Sequence, residues 1–285
     1  MLQVREFLFR LALCPGLTPL ARYRLWKTAE KKRNFNDIYL LSERSGISVN
    51  AQTTLQNKWH SLELKEIVQR NLKQNYITIV DPEYPVQLQE TFCPPLVLFY
   101  QGNINLLKTQ SLAIVGSRQM SGYSRAVLKE LVPKLVKKNI TIVSGLAAGV
   151  DGLSHEITLE CYGSTIGVIG AGLNCVYPRH HVNLQAAVSR QGLLISEYGI
   201  DTPPLAWHFP ERNRIIAGLA ETLLVVEAKK HSGSLITANI ALNENRNVCA
   251  IPGRIDSPLS QGCNELISAG AKPIIDINDL LSEFH

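Results

Sequence analysis

With 285 residues, 45% hydrophobic and 19% charged, the chain has the length and composition of a globular α/β domain with a smaller companion, which excludes disordered and fibrous classes. No run of ~20 apolar residues is present, so no membrane-spanning helix is predicted. The first ten residues lack the basic, apolar, small-residue order of a secretory signal, so a cytoplasmic protein is expected.

The net charge of +5 is uneven, because residues 1–72 hold 12 Lys or Arg against 6 Asp or Glu and the remainder 17 against 18. A basic small domain suits an anionic partner as well as it suits a solvated helical surface. Six cysteines, at 14, 93, 161, 175, 249 and 263, show no short pairing of the zinc or redox kind. They read as small buried thiols in a reducing compartment.

Residues 1–72 are predicted to be a helical bundle. Arg5 to Leu13 has apolar residues at helical spacing, Cys14-Pro-Gly-Leu-Thr-Pro is a turn, and Leu20 to Lys32 is a second helix. Shorter helices are expected over Asp37 to Glu43, Asn50 to His60 and Leu62 to Lys73. From residue 73 the character changes. Tyr76-Ile-Thr-Ile-Val and Leu96-Val-Leu-Phe-Tyr are strand-like, with Pro82, Pro85, Pro94 and Pro95 between them, so residues 73–110 form an extension joining the bundle to the main sheet.

From Ser111 short apolar runs alternate with helical segments: Leu112 to Val115, Ile140 to Val143, Thr165 to Ile169, Leu193 to Ile195, Thr222 to Val226, Val248 to Ile251 and Pro273 to Ile275. Continuous apolar runs mark strands covered on both faces, so residues 73–285 are expected to carry a doubly wound, mainly parallel sheet. Ligands of such sheets lie beyond the carboxyl ends of the strands, near the point where the strand order reverses.

Five loops fall there. Gly116-Ser117-Arg118 follows the first central strand and precedes a helix start at Ser124, a place where backbone amides and a guanidinium can receive an anion. Ser144-Gly145 opens the small-residue loop 144–152, which fits a ligand backbone or close packing equally well. Asp151 and His155, four apart, fit a helix cap and a packed His better than a metal or acid–base pair. The third loop places Tyr177 and Arg179 near the next helix. In the fourth, Arg212, Asn213 and Arg214 are expected just before an apolar helix, where cations oppose the helix dipole and an anionic ligand is a reason for them. Phe209 beside them offers a face for a base, or else belongs to the core. In the fifth, Ser232-Gly233-Ser234 opens the helix Leu235 to Asn245 as a second anion cradle. Glu197, Glu211 and Glu227 are scattered, and no nucleophile–base set or metal cluster is signalled, so no catalytic residue, metal or cofactor is expected.

In combination, these residues resemble the DNA-processing protein A family, also called Smf. The matching stretches are Ile114-Val-Gly-Ser-Arg, Ser144-Gly-Leu-Ala-Ala-Gly-Val-Asp, Gly170-Ala-Gly-Leu-Asn, Phe209-Pro-Glu-Arg-Asn-Arg-Ile-Ile-Ala-Gly-Leu, Ser232-Gly-Ser-Leu-Ile-Thr-Ala, Ile251-Pro-Gly and Gly262-Cys-Asn-Glu-Leu-Ile. The resemblance implies an extended Rossmann domain that binds single-stranded DNA, protects it during natural transformation and helps load the recombinase RecA. It also implies a homodimer without enzymatic turnover. It places DNA contacts on Gly116, Ser117, Arg118, Arg179, Arg212, Asn213, Arg214 and the 232–234 turn, and an apolar dimer position on Ile267, for which burial within its own domain is the alternative.

The N-terminal region resembles the helical, sterile-alpha-motif-like domain of many members, and Cys14-Pro-Gly-Leu-Thr is similar to a helix-hairpin-helix turn that holds a DNA phosphate. Two departures are the second His of Tyr177-Pro-Arg-His-His, near which the family more often has Asn, and the end of the chain soon after the last predicted strand, where some members carry a winged-helix-like domain. The competing function is a Rossmann-fold nucleotide hydrolase of the lysine-decarboxylase-like type. That class expects a Pro-Gly-Gly-x-Gly-Thr loop with a catalytic Glu downstream, where this chain has His231-Ser-Gly-Ser-Leu-Ile-Thr.

Overall fold

The computed structural model describes residues 2–284. Five helices come first: α1 (Leu2–Leu13), α2 (Pro19–Lys32), α3 (Ile38–Arg44), α4 (Val49–Trp59) and α5 (Leu62–Asn71). Four of their starts are fixed by short polar caps. Thr18, Asp37, Ser48 and Ser61 each accept the backbone N–H three residues on, which satisfies a donor that the helix itself leaves open. Pro19 sits in the first turn of α2, where no amide is needed, and Arg33 ends that helix in the left-handed conformation at φ 49°.

The rest is one nine-stranded sheet with helices on both faces. Its elements are β1 (Asn75–Thr78), α6 (Val86–Gln89), β2 (Val97–Gly102), β3 (Ser111–Val115), α7 (Gly122–Lys137), β4 (Thr141–Ser144), α8 (Val150–Glu160), β5 (Thr165–Ile169), α9 (Val182–Gln191) and β6 (Leu193–Ser196). They continue with α10 (His208–Leu219), β7 (Thr222–Val225), α11 (Gly233–Asn243), β8 (Asn247–Ala250), α12 (Gln261–Ser268), β9 (Lys272–Pro273) and α13 (Ile277–Leu281).

The spatial order is β1-β2-β6-β5-β4-β3-β7-β8-β9. β2 runs antiparallel to β1 and β6, and every pair from β6 across to β9 is parallel. β3, β4, β5, β6 and β7 are buried at every residue, as continuous apolar strands require. Alternate residues feed opposite faces: Ala113 and Val115 pack in one core, Leu112 and Ile114 in the other. The chain winds outward from β3 to β6, then returns to place β7 on β3's other side. The loops leaving β3 and β7 therefore diverge and open a crevice between them.

The bundle does not stand apart from this sheet. Phe9 of α1 lies 4.4 Å from the Tyr76 ring and 5.7 Å from Phe99, so one core runs from the helices onto the sheet. Arg5 pairs with the buried Asp81, and Asn71 Oδ1 accepts the Ile200 N–H at 2.8 Å. The predicted strands sit within a residue or two of the observed ones, and the last overlaps least. β9 is only Lys272–Pro273, and the chain leaves the ladder after Ile274 donates to Ala250. No helix among the described residues is long and apolar enough to cross a membrane.

Candidate nucleic-acid interface

A cleft of about 690 Å³ opens where β3 and β7 part. Its floor is the Gly116–Arg118 loop, one wall is the first turns of α10, and the other is the N-terminus of α11. Arg118 is exposed and its guanidinium lies 5.7 Å from the centre of the half-buried Phe209 ring, which leans on Tyr177 at 5.1 Å. This stacks a permanent cation on an aromatic face at the cleft's edge. Across from them Ser232 caps α11 without a side-chain bond to its amides. Its Oγ lies 3.1 Å from Ser234 Oγ, and Gly233 is exposed. Amides at a helix start, two hydroxyls and an arginine converge here, and together they favour a phosphate over a neutral ligand.

Of the predicted site residues, the cleft gathers Gly116, Ser117, Arg118, Phe209, Arg212, Asn213, Ser232, Gly233 and Ser234. Arg179 stands exposed outside it. Three others are turned to structural work. Ser144 is fully buried and donates through Oγ to Ile114 O at 2.6 Å, tying β4 to β3. Gly145 is small because a Cβ there would come within 2.5 Å of the Arg212 guanidinium, so it makes room for a side chain, not for a ligand. Arg214 faces away from the cleft, its side chain 14% exposed, and holds Glu197, just past the end of β6, at 2.5 Å.

Arg212 also departs from the expectation. It lines the cleft but is 4% exposed, and Nη1 donates to Gly145 O at 2.6 Å and to Val168 O. The reason lies in the helix start. α10 begins at His208, so Arg212 and Arg214 sit inside the helix and not in a loop before it. Asp151, at the base of the same cleft, accepts the Gly145 N–H at 3.2 Å. Burial pushes its carboxyl up to about 6, against the opposing field of Arg212. Burial pushes Arg212 down to about 10, with Asp151 opposing. His155 is buried beside Thr165 at 2.7 Å, and desolvation with the nearby His181 brings it down to about 3, so it is a neutral packed imidazole.

The carboxylates of this edge are each engaged. Glu197 pairs with Arg214, Glu211 accepts from the Tyr198 hydroxyl at 2.9 Å, and Glu227 accepts the Ser121 N–H at 2.9 Å and the Ser124 hydroxyl. Glu227, read from the sequence as one of three scattered carboxylates, was missed as a tie: it joins the end of β7 to the start of α7 and so fixes the two loops that bound the cleft. Lys229 was missed too. It is exposed on the cleft two residues past Glu227, and the rule that found Arg118, a cation just after a central strand, points to it equally. No group of three or more His, Cys, Asp or Glu suited to a metal occurs among the described residues.

Comparison with known proteins bears on this site. The family described as DNA recombination-mediator protein A matches residues 75–285. The chain is 39% identical over 266 residues to DNA processing protein DprA of Streptococcus pneumoniae, covering 93% of this chain and 94% of that one. A solved structure of that pneumococcal protein superposes with a TM-score of 0.90 at 36% identity, covering 99% of this chain and 98% of the other. A structure of DNA processing protein A from Helicobacter pylori, described by its single-stranded DNA binding mode, matches with a TM-score of 0.67 at 30% identity, covering 75% of this chain and 99% of the other. The parallel sheet, its crevice and these likenesses over nearly the whole length agree: the chain belongs to the DNA recombination-mediator protein A family.

Proposed function

We propose that this protein binds single-stranded DNA in the cleft between the β3 and β7 loops and acts as a recombination mediator. In that role it protects incoming strands during natural transformation and helps load RecA. The observation that carries the reading is Arg118 stacked on Phe209 opposite the uncapped start of α11. A flexible strand can present a phosphate to the cation and amides while a neighbouring base meets the ring, whereas a stiff duplex cannot bring a base to it. The Helicobacter pylori relative supports the choice of ligand.

The protein grips and does not turn over substrate, since Glu197, Glu211 and Glu227 are all committed to neighbours. It works in the cytoplasm as a homodimer joined near α12 and β9, where Ile267 is half-buried and Ile275, just past β9, is 81% exposed. Fluorescence anisotropy with poly-dT at several salt concentrations tests this. Affinity falls with a log–log slope of about −0.7 per phosphate contact, and Arg118→Ala loses about one contact from that slope. Salt-independent binding, preference for duplex, or hydrolysis of nucleoside monophosphates overturns the reading.

A further inference from the structure

A second cleft, of about 620 Å³, lies where the helical bundle meets the sheet domain. The turn after α1, together with Arg22 of α2 and Arg70 of α5, forms one wall, and the segment from Glu197 to Glu211 forms the other. The two clefts share a partition. Along it Ala206, Phe209 and Arg212 face the first, while Leu205, Trp207 and His208 face the second. A chain leaving the Phe209 ring across the first turn of α10 therefore meets the bundle next.

The second cleft carries the two things a continuing strand needs. Trp207 is 60% exposed beside it, so most of its ring is open to a ligand, and it meets His208 in a T-shaped contact at 5.8 Å. An aromatic face takes any base, whatever the sequence. Arg22 is held by a bond from Nη2 to Cys14 O at 3.1 Å, while its buried Nε has no partner. Its charge reaches His208 across the cleft and helps, after burial, to lower that imidazole's pKa. Arg70 is exposed in the last turn of α5.

The carboxylates opposite are engaged on their own domain: Glu197 by Arg214, Glu211 by Tyr198, and Asp201 by Asn174 Nδ2 at 3.0 Å. Glu211 and Asp201 are engaged by a hydroxyl and an amide and not by a cation, so this cleft attracts an anion less than the first does. Stacking on Trp207 supplies most of what it offers. The walls are fixed relative to each other by the Asn71–Ile200 bond and the Phe9–Tyr76 contact. Resting on the reading that the first cleft holds single-stranded DNA, we propose that the inter-domain cleft is a second contact site for the same strand. A base stacks on Trp207, Arg22 and Arg70 hold the flanking phosphates, and the helical bundle thereby lengthens the footprint.

Anisotropy with poly-dT of about 6 and about 20 nucleotides separates the two sites, since a single strand-binding domain such as an OB-fold covers ~4–16 nucleotides. Trp207→Ala and Arg70→Ala change exposed side chains and leave the circular dichroism melt in place. On the long strand Trp207→Ala weakens binding about ten-fold, and Arg70→Ala lowers the salt slope by about 0.7. On the short strand both behave as wild type, while Arg118→Ala still weakens binding. Equal losses on both lengths, or none on either, overturn the second site. Failure of the wild type to bind either strand, or indifference of the short strand to Arg118→Ala, overturns the first site instead.

Discussion

Replacing Arg212 by Met removes a charge from the middle of the molecule while keeping most of the side chain's length. In the folded protein the guanidinium supplies donors to Gly145 O and Val168 O and faces the buried carboxyl of Asp151. Hydrogen bonds from a charged donor contribute ~1.5–3 kcal/mol each, so the two to Gly145 O and Val168 O are together worth ~3–6 kcal/mol. The two carbonyls keep no donor from the methionine, so a loss of about 4 kcal/mol is expected. For a domain of ~200 residues this lowers Tm by roughly 10 °C. A surface arginine would move stability by about 0.5 kcal/mol or less. Thermal melts followed by circular dichroism, with Arg118→Ala measured alongside, give the comparison. If Arg212→Met melts within about 2 °C of wild type yet loses as much poly-dT affinity as Arg118→Ala, the guanidinium serves the ligand and the structural reasoning fails.

Phe209→Ala weakens binding to ordinary single strands by ~1–3 kcal/mol but leaves an abasic strand of equal charge nearly unaffected. Equal losses on both strands together with a lower Tm assign the ring to the core. The pH dependence of stability follows from two buried groups of opposite sign. His155, held down to about 3, contributes stability that is lost as pH falls below its unfolded value of about 6.5. Asp151, raised to about 6, gains stability on protonation between its unfolded value of about 4 and 6, so over that window the two offset each other. Asp151→Asn removes the offset, and urea unfolding then shows stability falling by about 1.4 kcal/mol per pH unit below pH ~6.5. An unchanged pH profile refutes the balance. Ile267→Glu, read by light scattering and circular dichroism together, gives a folded monomer. An unfolded chain assigns Ile267 to its own core, and an intact dimer refutes the interface.

Much of the architecture was legible because burial on both faces leaves a one-dimensional signature. Thr165-Ile-Gly-Val-Ile reads as a strand at sight, and β5 occupies those residues. Helix starts were harder. α7 was expected from Ser124, but Ser121 accepts the Ser124 N–H and Glu227 accepts from both residues, so the helix begins at Gly122. Half of that cap lies 106 residues away in sequence, beyond any local pattern. The helix expected near Arg179 is α9, Val182–Gln191, and a single 3-10 turn over Arg179–His181 precedes it.

The arginines show where reading a site from sequence stops. Arg118, Arg212 and Arg214 all lie past the carboxyl end of a strand, beside a helix, and nothing in their neighbours separates an anion receptor from a buried brace. The difference is where α10 begins. In a loop, Arg212 and Arg214 could both turn toward one ligand. On a helix, residues two apart point to different sides, so a start at His208 sends Arg212 to the cleft base and Arg214 to Glu197. Each then meets a carboxylate or backbone carbonyls, which answers the objection that a cation near a helix start opposes the dipole. Arg118 precedes its helix in the chain, so no such geometry constrains it, and it keeps an exposed guanidinium over an aromatic ring. A cation in a strand-end loop is thus a stronger sign of an anion site than one inside the next helix, and Lys229, in the loop after β7, fits the same rule.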